Sequence, residues 1–171
     1  MSMHIAVVAI EGNHLAEMSE VFEKCGYTIE NSKRVPTAKQ ASNDMADGGK
    51  TAYFTNGWTF IVDPELVLNT NDAWLHYSKK WKARIIGWLC EGTSATYGLA
   101  LYESGKQRRE VASVDGNVVV EKGKPLPEES KVDWGEADEK TVLQLAERIG
   151  AKYEFPAKAE YTVFQLSSPE E

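Results

Sequence analysis

The chain has 171 residues and a formal net charge of -7. A chain of this length fits one domain and can bury about two-thirds of its unfolded surface, so folding requires neither a disulfide nor a metal. The hydrophobic fraction of 42% and the charged fraction of 26% argue against a disordered chain. The acidic balance disfavours a general affinity for nucleic acid.

Apolar runs are short, which predicts a protein that does not enter a membrane. The longest run, residues 5–10, covers about a third of the ~20 residues that a spanning helix needs. No basic stretch precedes a long apolar core, so we expect no signal peptide. Cys25 and Cys90 lie in apolar surroundings, which favours two buried thiols in a cytoplasmic protein. A disulfide between them stays open, because the sequence does not give their separation.

The N-terminal part predicts a buried strand followed by an amphipathic helix. Residues 4–10 are continuously apolar, which is typical of a strand buried on both faces at the centre of a sheet. Asn13 is a suitable cap for a helix that reaches Cys25, and Gly26 ends it. The apolar side chains of this helix fall on one face: Leu15, Met18, Val21, Phe22 and Cys25. A strand beginning at 27–29 follows, and a helix over 36–46 starts with Pro36 in its first turn.

The middle of the chain predicts a hairpin, a helix and a meander. Asn56 and Gly57 form the strongest hairpin signal, between strands at 50–55 and 58–62. The helix over 72–82 places four side chains on one face: Trp74, Tyr77, Ser78 and Trp81. Successive strands are expected at four places: 83–90, 95–102, 108–114 and 118–121.

The C-terminal part predicts an acidic surface loop, a helix and a last strand. The loop covers 122–135, the helix 139–149 and the strand 161–166, and 167–171 is expected to be a flexible tail. The whole chain, 1–171, is then one α+β domain with a single mixed, largely antiparallel sheet and about four helices. The helices are expected to cover one face of that sheet.

Each catalytic motif in the chain is incomplete, so the sequence favours a protein without enzymatic activity and leaves an enzyme open. Gly49-Lys50-Thr51 resembles the end of a phosphate-binding loop, but Asp44 stands where that loop needs glycine. Cys90 could act as a nucleophile with His76 and Asp72 only if the fold brought them together. The three histidines show no metal-binding spacing, so neither a metal nor a cofactor is expected.

Two alternative functions involve aromatic and cationic side chains. A small-molecule binder or an enzyme could use a cleft beside Trp58, Trp88, Tyr97 and Arg109, in which Arg109 would bind an anion. A binder of single-stranded nucleic acid could use the aromatic residues of 74–88 with four cations. Those cations are Lys79, Lys80, Lys82 and Arg84.

One stretch of the chain resembles a group of known proteins. The stretch includes 57–63, then 97–102 leading to Gly105 and Arg109, then 123–129. Over roughly residues 50–130 the chain is similar to small bacterial α+β domains, some of which are immunity proteins of polymorphic toxin systems. The resemblance implies a bacterial protein that binds and blocks a cognate toxin without catalysis. It carries no shared functional motif, and therefore no residue roles.

The leading hypothesis is a protein-binding module that recognises a basic partner. Residues 121–139 carry seven acids against three lysines, and acidic patches accelerate association with basic surfaces. The predicted contact residues are Glu128, Glu129, Asp133 and Trp134, with Trp134 as an aromatic anchor. The identity of the partner and the oligomeric state stay open.

Overall fold

The computed structural model describes residues 4–168, and these form an α+β fold with one antiparallel sheet of nine strands and four α-helices. The sheet order is β2-β9-β3-β4-β1-β5-β6-β7-β8. The strands are β1 (His4–Glu11), β2 (Thr28–Thr37), β3 (Lys50–Thr55), β4 (Trp58–Asp63), β5 (Ile85–Glu91), β6 (Thr96–Glu103), β7 (Lys106–Val114), β8 (Asn117–Lys122) and β9 (Lys158–Ser167). The helices are α1 (Met18–Lys24), α2 (Ala38–Met45), α3 (Ala73–Lys80) and α4 (Glu139–Ile149).

β1 is the fifth strand of nine and pairs with β4 and β5. Its central position confirms the expectation drawn from its unbroken apolar run. Successive side chains of a strand point to opposite faces. Val7 and Ala9 contribute to the core on one side, which we call the front face, and Val8 and Ile10 to the core on the back face.

Helices pack on both faces of the sheet. α2 and α4 cover the front face, while α1 and α3 cover the back face. The expectation that helices cover one face is therefore wrong. The reason lies in β1 and its neighbours, because strands that are apolar on both faces need a layer on each side to exclude water. The helical side chains that do this are Ala41, Met45, Val142 and Leu145 in front, and Val21, Phe22, Trp74 and Tyr77 behind.

Pro36 lies in a strand and does not start a helix. β2 starts at Thr28, within the expected range of 27–29, but it continues to Thr37 and so includes Pro36. A register shift occurs between Val35 and Thr37. Proline is tolerated there because β2 is an edge strand, where an amide donor is dispensable. α2 begins one residue later, and the side chain of Thr37 accepts a hydrogen bond from the amide of Gln40 at 3.2 Å.

The remaining elements follow the sequence closely, with differences at their ends. The hairpin around Asn56 and Gly57, the four strands of the meander, and α4 are all present. The first helix is divided into a 3-10 turn, Leu15–Glu17, and α1. Ser167 of the expected tail ends β9, and residues 169–171 lie outside the described range. Within 4–168, none of the helices has the length and apolarity to cross a bilayer.

The loop between β4 and α3 lies directly on the back face of β5. A side chain at Gly87 would meet this loop, because an added Cβ would lie 2.2 Å from the carbonyl oxygen of Asn69. Gly87 is thus required for the close approach of the two backbones.

We expect Gly87→Ala to lower the free energy of unfolding by about 1–3 kcal/mol, because the new methyl group pushes the loop off the strand. Urea unfolding measures this. Gly135→Ala is the control, since its Cβ would come no closer than 3.2 Å, to a side-chain oxygen of Asp133. Equal stability of the two variants contradicts the proposed close packing.

Candidate protein-binding surface

An ion pair buried beneath the acidic loop fixes the loop to the sheet. Arg109 of β7 is 1% exposed and Glu129 is 7% exposed. The guanidinium binds the carboxylate through two atoms, with Nε 3.0 Å from Oε2 and Nη2 2.8 Å from Oε1. Nη2 also donates to Glu121 at 3.1 Å, and Nη1 donates to the carbonyl of Gly123 at 3.0 Å. Arg109 thus connects β7 to Glu121 near the end of β8, to Gly123 just after β8, and to Glu129 in the loop.

Glu129 also binds the loop itself. Its carboxylate accepts hydrogen bonds from the amide of Leu126 at 2.7 Å and from the indole nitrogen of Trp134 at 3.1 Å. Burial acts to raise the pKa of Glu129, but the hydrogen bonds from Arg109, Leu126 and Trp134 hold it below the ordinary value. The same burial acts to lower the pKa of Arg109, and its two carboxylate partners raise it above normal. Both groups are therefore charged at neutral pH.

The outer surface of the loop is acidic. We call the surface formed by Glu128, Asp133, Glu136 and Asp138 the acidic ridge. Glu128 is partly exposed, and the other three are exposed. Asp133 accepts a hydrogen bond from the amide of Gly135 at 2.9 Å, which orders the 3-10 turn at Trp134–Glu136.

The acidic ridge continues to the start of α4. Asp138 caps that helix, accepting from the amide of Thr141 at 2.8 Å. The hydrogen bonds from Thr141 hold the pKa of Asp138 below its usual value, although burial acts in the opposite direction. Between loop and helix lies a polar cleft of about 170 Å³, whose lining includes Lys131 and Arg148 as well as Asp133 and Glu136. The ridge is therefore bordered by cations, with Lys131 and Arg148 at the cleft and Lys140 next to Asp138.

The structure divides the four predicted contact residues into two pairs. Glu128 and Asp133 lie on the acidic ridge. Glu129 and Trp134 lie beneath it, where Trp134 is 8% exposed and belongs to the front core. Because Trp134 is buried, its ring packs inside the protein and is not available as an aromatic anchor on a partner. Its side chain instead fastens the loop to the sheet.

The four residues of the expected ligand cleft are all buried. Trp58, Trp88 and Tyr97 belong to the front core. Trp88 meets the ring of Phe60 edge-on with centroids 6.4 Å apart. The donors of Arg109 are taken by Glu129, Glu121 and Gly123. The anion that the sequence assigned to Arg109 is thus a carboxylate of the chain itself.

The candidate catalytic residues are placed apart or bound within the chain. Lys50 is fully buried and donates to Asp63 at 2.6 Å and to Glu65 at 2.7 Å, so it does not reach a phosphate. Cys90 lies in the front core, whereas His76 is exposed on α3, on the back face. Burial raises the pKa of the Cys90 thiol to about 12, which makes it a poor nucleophile.

In the described part of the chain, the two cysteines do not form a disulfide, and potential metal ligands do not cluster. Cys25 and Cys90 are both free thiols. Among residues 4–168, His, Cys, Asp and Glu side chains do not gather in groups of three that could hold a metal ion.

The cationic segment at the end of α3 and just after it offers little free aromatic surface. Trp74 and Tyr77 are buried in the back core, and Trp81 stacks on His14 with ring centroids 4.0 Å apart. Arg84 donates to Glu11 at 2.9 Å and to the carbonyl of Ile149 at 2.7 Å. Lys79, Lys80 and Lys82 are exposed, but the rings that would stack on bases pack within the protein.

A second buried ion pair, between Lys50 and Asp63, was not predicted from the sequence, although the register of the hairpin indicates it. Asp63 is fully buried and accepts hydrogen bonds from the amides of Glu65, Val67 and Leu68. Counting outward from the two-residue turn at Asn56 and Gly57 sets Lys50 opposite Asp63. The Arg109 pair gives no such signal, because Glu129 lies in a 3-10 turn beyond the end of β8, where counting along a hairpin does not reach.

No family model matches this chain, and neither a curated protein nor a solved structure matches it.

Replacing Glu129 by glutamine should lower the free energy of unfolding by about 3–5 kcal/mol, since it leaves the buried guanidinium without its full partner. Urea unfolding at neutral pH measures the loss. Glu121→Gln is the matched control, because the side chain of Glu121 is 55% exposed and an exposed partner contributes at most about 1 kcal/mol. Equal losses in the two variants contradict the central position of Glu129.

The contribution of Glu129 should also depend on pH. A carboxyl group with a lowered pKa stabilises the fold above the ordinary value of 4.5 and loses this contribution as the pH falls through the lowered pKa. We therefore expect the stability difference between the wild type and Glu129→Gln to be full above pH 4.5 and to narrow below it. Urea unfolding over a pH series tests this, and a constant difference is the opposing result.

Proposed function

We propose that this protein is a non-enzymatic protein-binding module that presents its acidic ridge to a basic surface of a partner. The observation that carries the proposal is the buried contact between Arg109 and Glu129, which holds the loop in one conformation. A loop that is ordered before binding does not lose that conformational freedom on binding, so more of the contact energy appears as affinity.

The charge distribution supports a basic partner. Acids on a protein rim speed the encounter with a positive surface and select against partners of like charge. Glu129 is neutralised internally by Arg109, whereas Asp133, Glu136 and Asp138 are exposed. The acids that can act at a distance are therefore those of the ridge.

The resemblance to immunity proteins agrees with this proposal. An inhibitor of that kind has to cover a surface of its target and needs no catalytic group of its own. In this chain the candidate nucleophile Cys90 and the amine of Lys50 are both buried. We therefore propose toxin inhibition as the specific form of the binding function.

Charge reversal on the acidic ridge should weaken binding. The test variant combines Glu128→Lys, Asp133→Lys and Glu136→Lys. The partner is first captured from the native host on immobilised wild-type protein, then purified and titrated against the variant by surface plasmon resonance. We expect an affinity about tenfold lower or more, mainly through slower association, and a wild-type affinity that falls as salt is added.

The control reverses three exposed acids elsewhere, at Glu23, Glu30 and Asp47. It makes the same change in net charge, so a loss confined to the ridge variant assigns the effect to that surface. Equal affinities of wild type, ridge variant and control, with no salt dependence, would exclude the ridge as the binding site.

A further inference from the structure

One edge of the sheet exposes an apolar strand. β8 is the last strand in the sheet and pairs with β7 on one side. Its centre is a run of valines, of which Val118 is 47% exposed and Val119 is 58% exposed. The free side of an edge strand presents unpaired amide and carbonyl groups, which another strand can satisfy.

The opposite edge is protected in the way that natural sheets protect their edges. β2 carries Lys33, Arg34 and Pro36, and its pairing with β9 is interrupted by two register shifts. Charges, proline and bulges of this kind oppose the addition of another strand. β8 has one register shift, at Val119, and its charged residues stand at its end, at Glu121 and Lys122. The β2 edge is therefore better protected against the addition of another strand than the β8 edge.

We infer that β8 is the contact between two copies of this chain, which pair β8 to β8 in antiparallel orientation about a two-fold axis. A two-fold contact uses the same patch on both copies, so the patch must be complementary to itself. The valines occupy the middle of β8. Antiparallel pairing centred there brings the valines of one copy against those of the other, and each strand satisfies the other's free backbone groups.

Electrostatics give this dimer a characteristic salt dependence. Each copy has a formal charge of -7, and pairing about an axis perpendicular to the sheet places both acidic loops on the same side. Added salt screens the repulsion between the copies, so the dimer should become tighter as salt increases. Binding of a basic partner to the acidic ridge should instead weaken as salt increases. The opposite salt dependences therefore allow the two proposals to be tested separately.

Sedimentation equilibrium of the purified chain tests the dimer. We expect a species of twice the 19.0 kDa chain mass to grow in over protein concentrations of about 1 µM to 1 mM, the range of weak to moderate association. Val119→Lys should abolish it, because two lysines would meet near the axis. Phe54→Lys is the control, since Phe54 is 38% exposed in β3, which lies far from β8 in the order of the strands. Its dimer should match that of the wild type.

A cross-link identifies the surface if a dimer forms. Val119→Cys places a thiol near the axis, where the two copies come within disulfide reach, and mild oxidation should link them. Phe54→Cys should stay unlinked under the same conditions. A single-chain mass at every concentration overturns the proposal, and so does a dimer that Val119→Lys leaves intact. Circular dichroism and urea unfolding of each variant establish that it is folded before its mass is interpreted.

Discussion

The buried ion pair between Arg109 and Glu129 is the interaction on which the proposed binding surface depends. A charge without its partner in such a place is costly, so the guanidinium and the carboxylate must stay together while the protein is folded. Glu129 also accepts hydrogen bonds from Leu126 and Trp134, and its charge is thus satisfied by the loop as well as by the sheet. The conformation of the loop follows from this requirement.

The same device occurs a second time on the other face of the sheet. Asp63 accepts three backbone amides of the following loop and is neutralised by the buried amine of Lys50. In both places a carboxylate orders a long loop, and a cation on a neighbouring strand removes the cost of burying it. The two loops cover regions of the sheet that the four short helices leave open, which helps to bury both faces of its central strands.

The closed faces leave particular places for recognition. Side chains that looked suited to catalysis or ligand binding, such as Trp88 and Arg109, are used inside the fold. Two of the surfaces that stay accessible are the outer surface of the anchored loop and the free edge of β8. The first is charged and the second apolar, so they suit different occupants: a basic protein surface on the ridge, and an extended strand on the edge. The proposed module therefore has separate surfaces for its partner and for its own copy.

The sequence by itself determined the class of fold, the central place of β1, the hairpin at Asn56 and Gly57, and α4, because these features rest on local apolar periodicity and turn chemistry. It also located the acidic loop. Tertiary structure alone decided that β2 continues through Pro36, because that outcome depends on pairing with β9, more than 100 residues away along the chain. It also decided that Glu129 and Trp134 face inward, because the distant Arg109 neutralises the buried carboxylate and that carboxylate accepts the indole N–H of Trp134. Local patterns define an element, but the partners of a side chain depend on which distant strand the fold sets beside it.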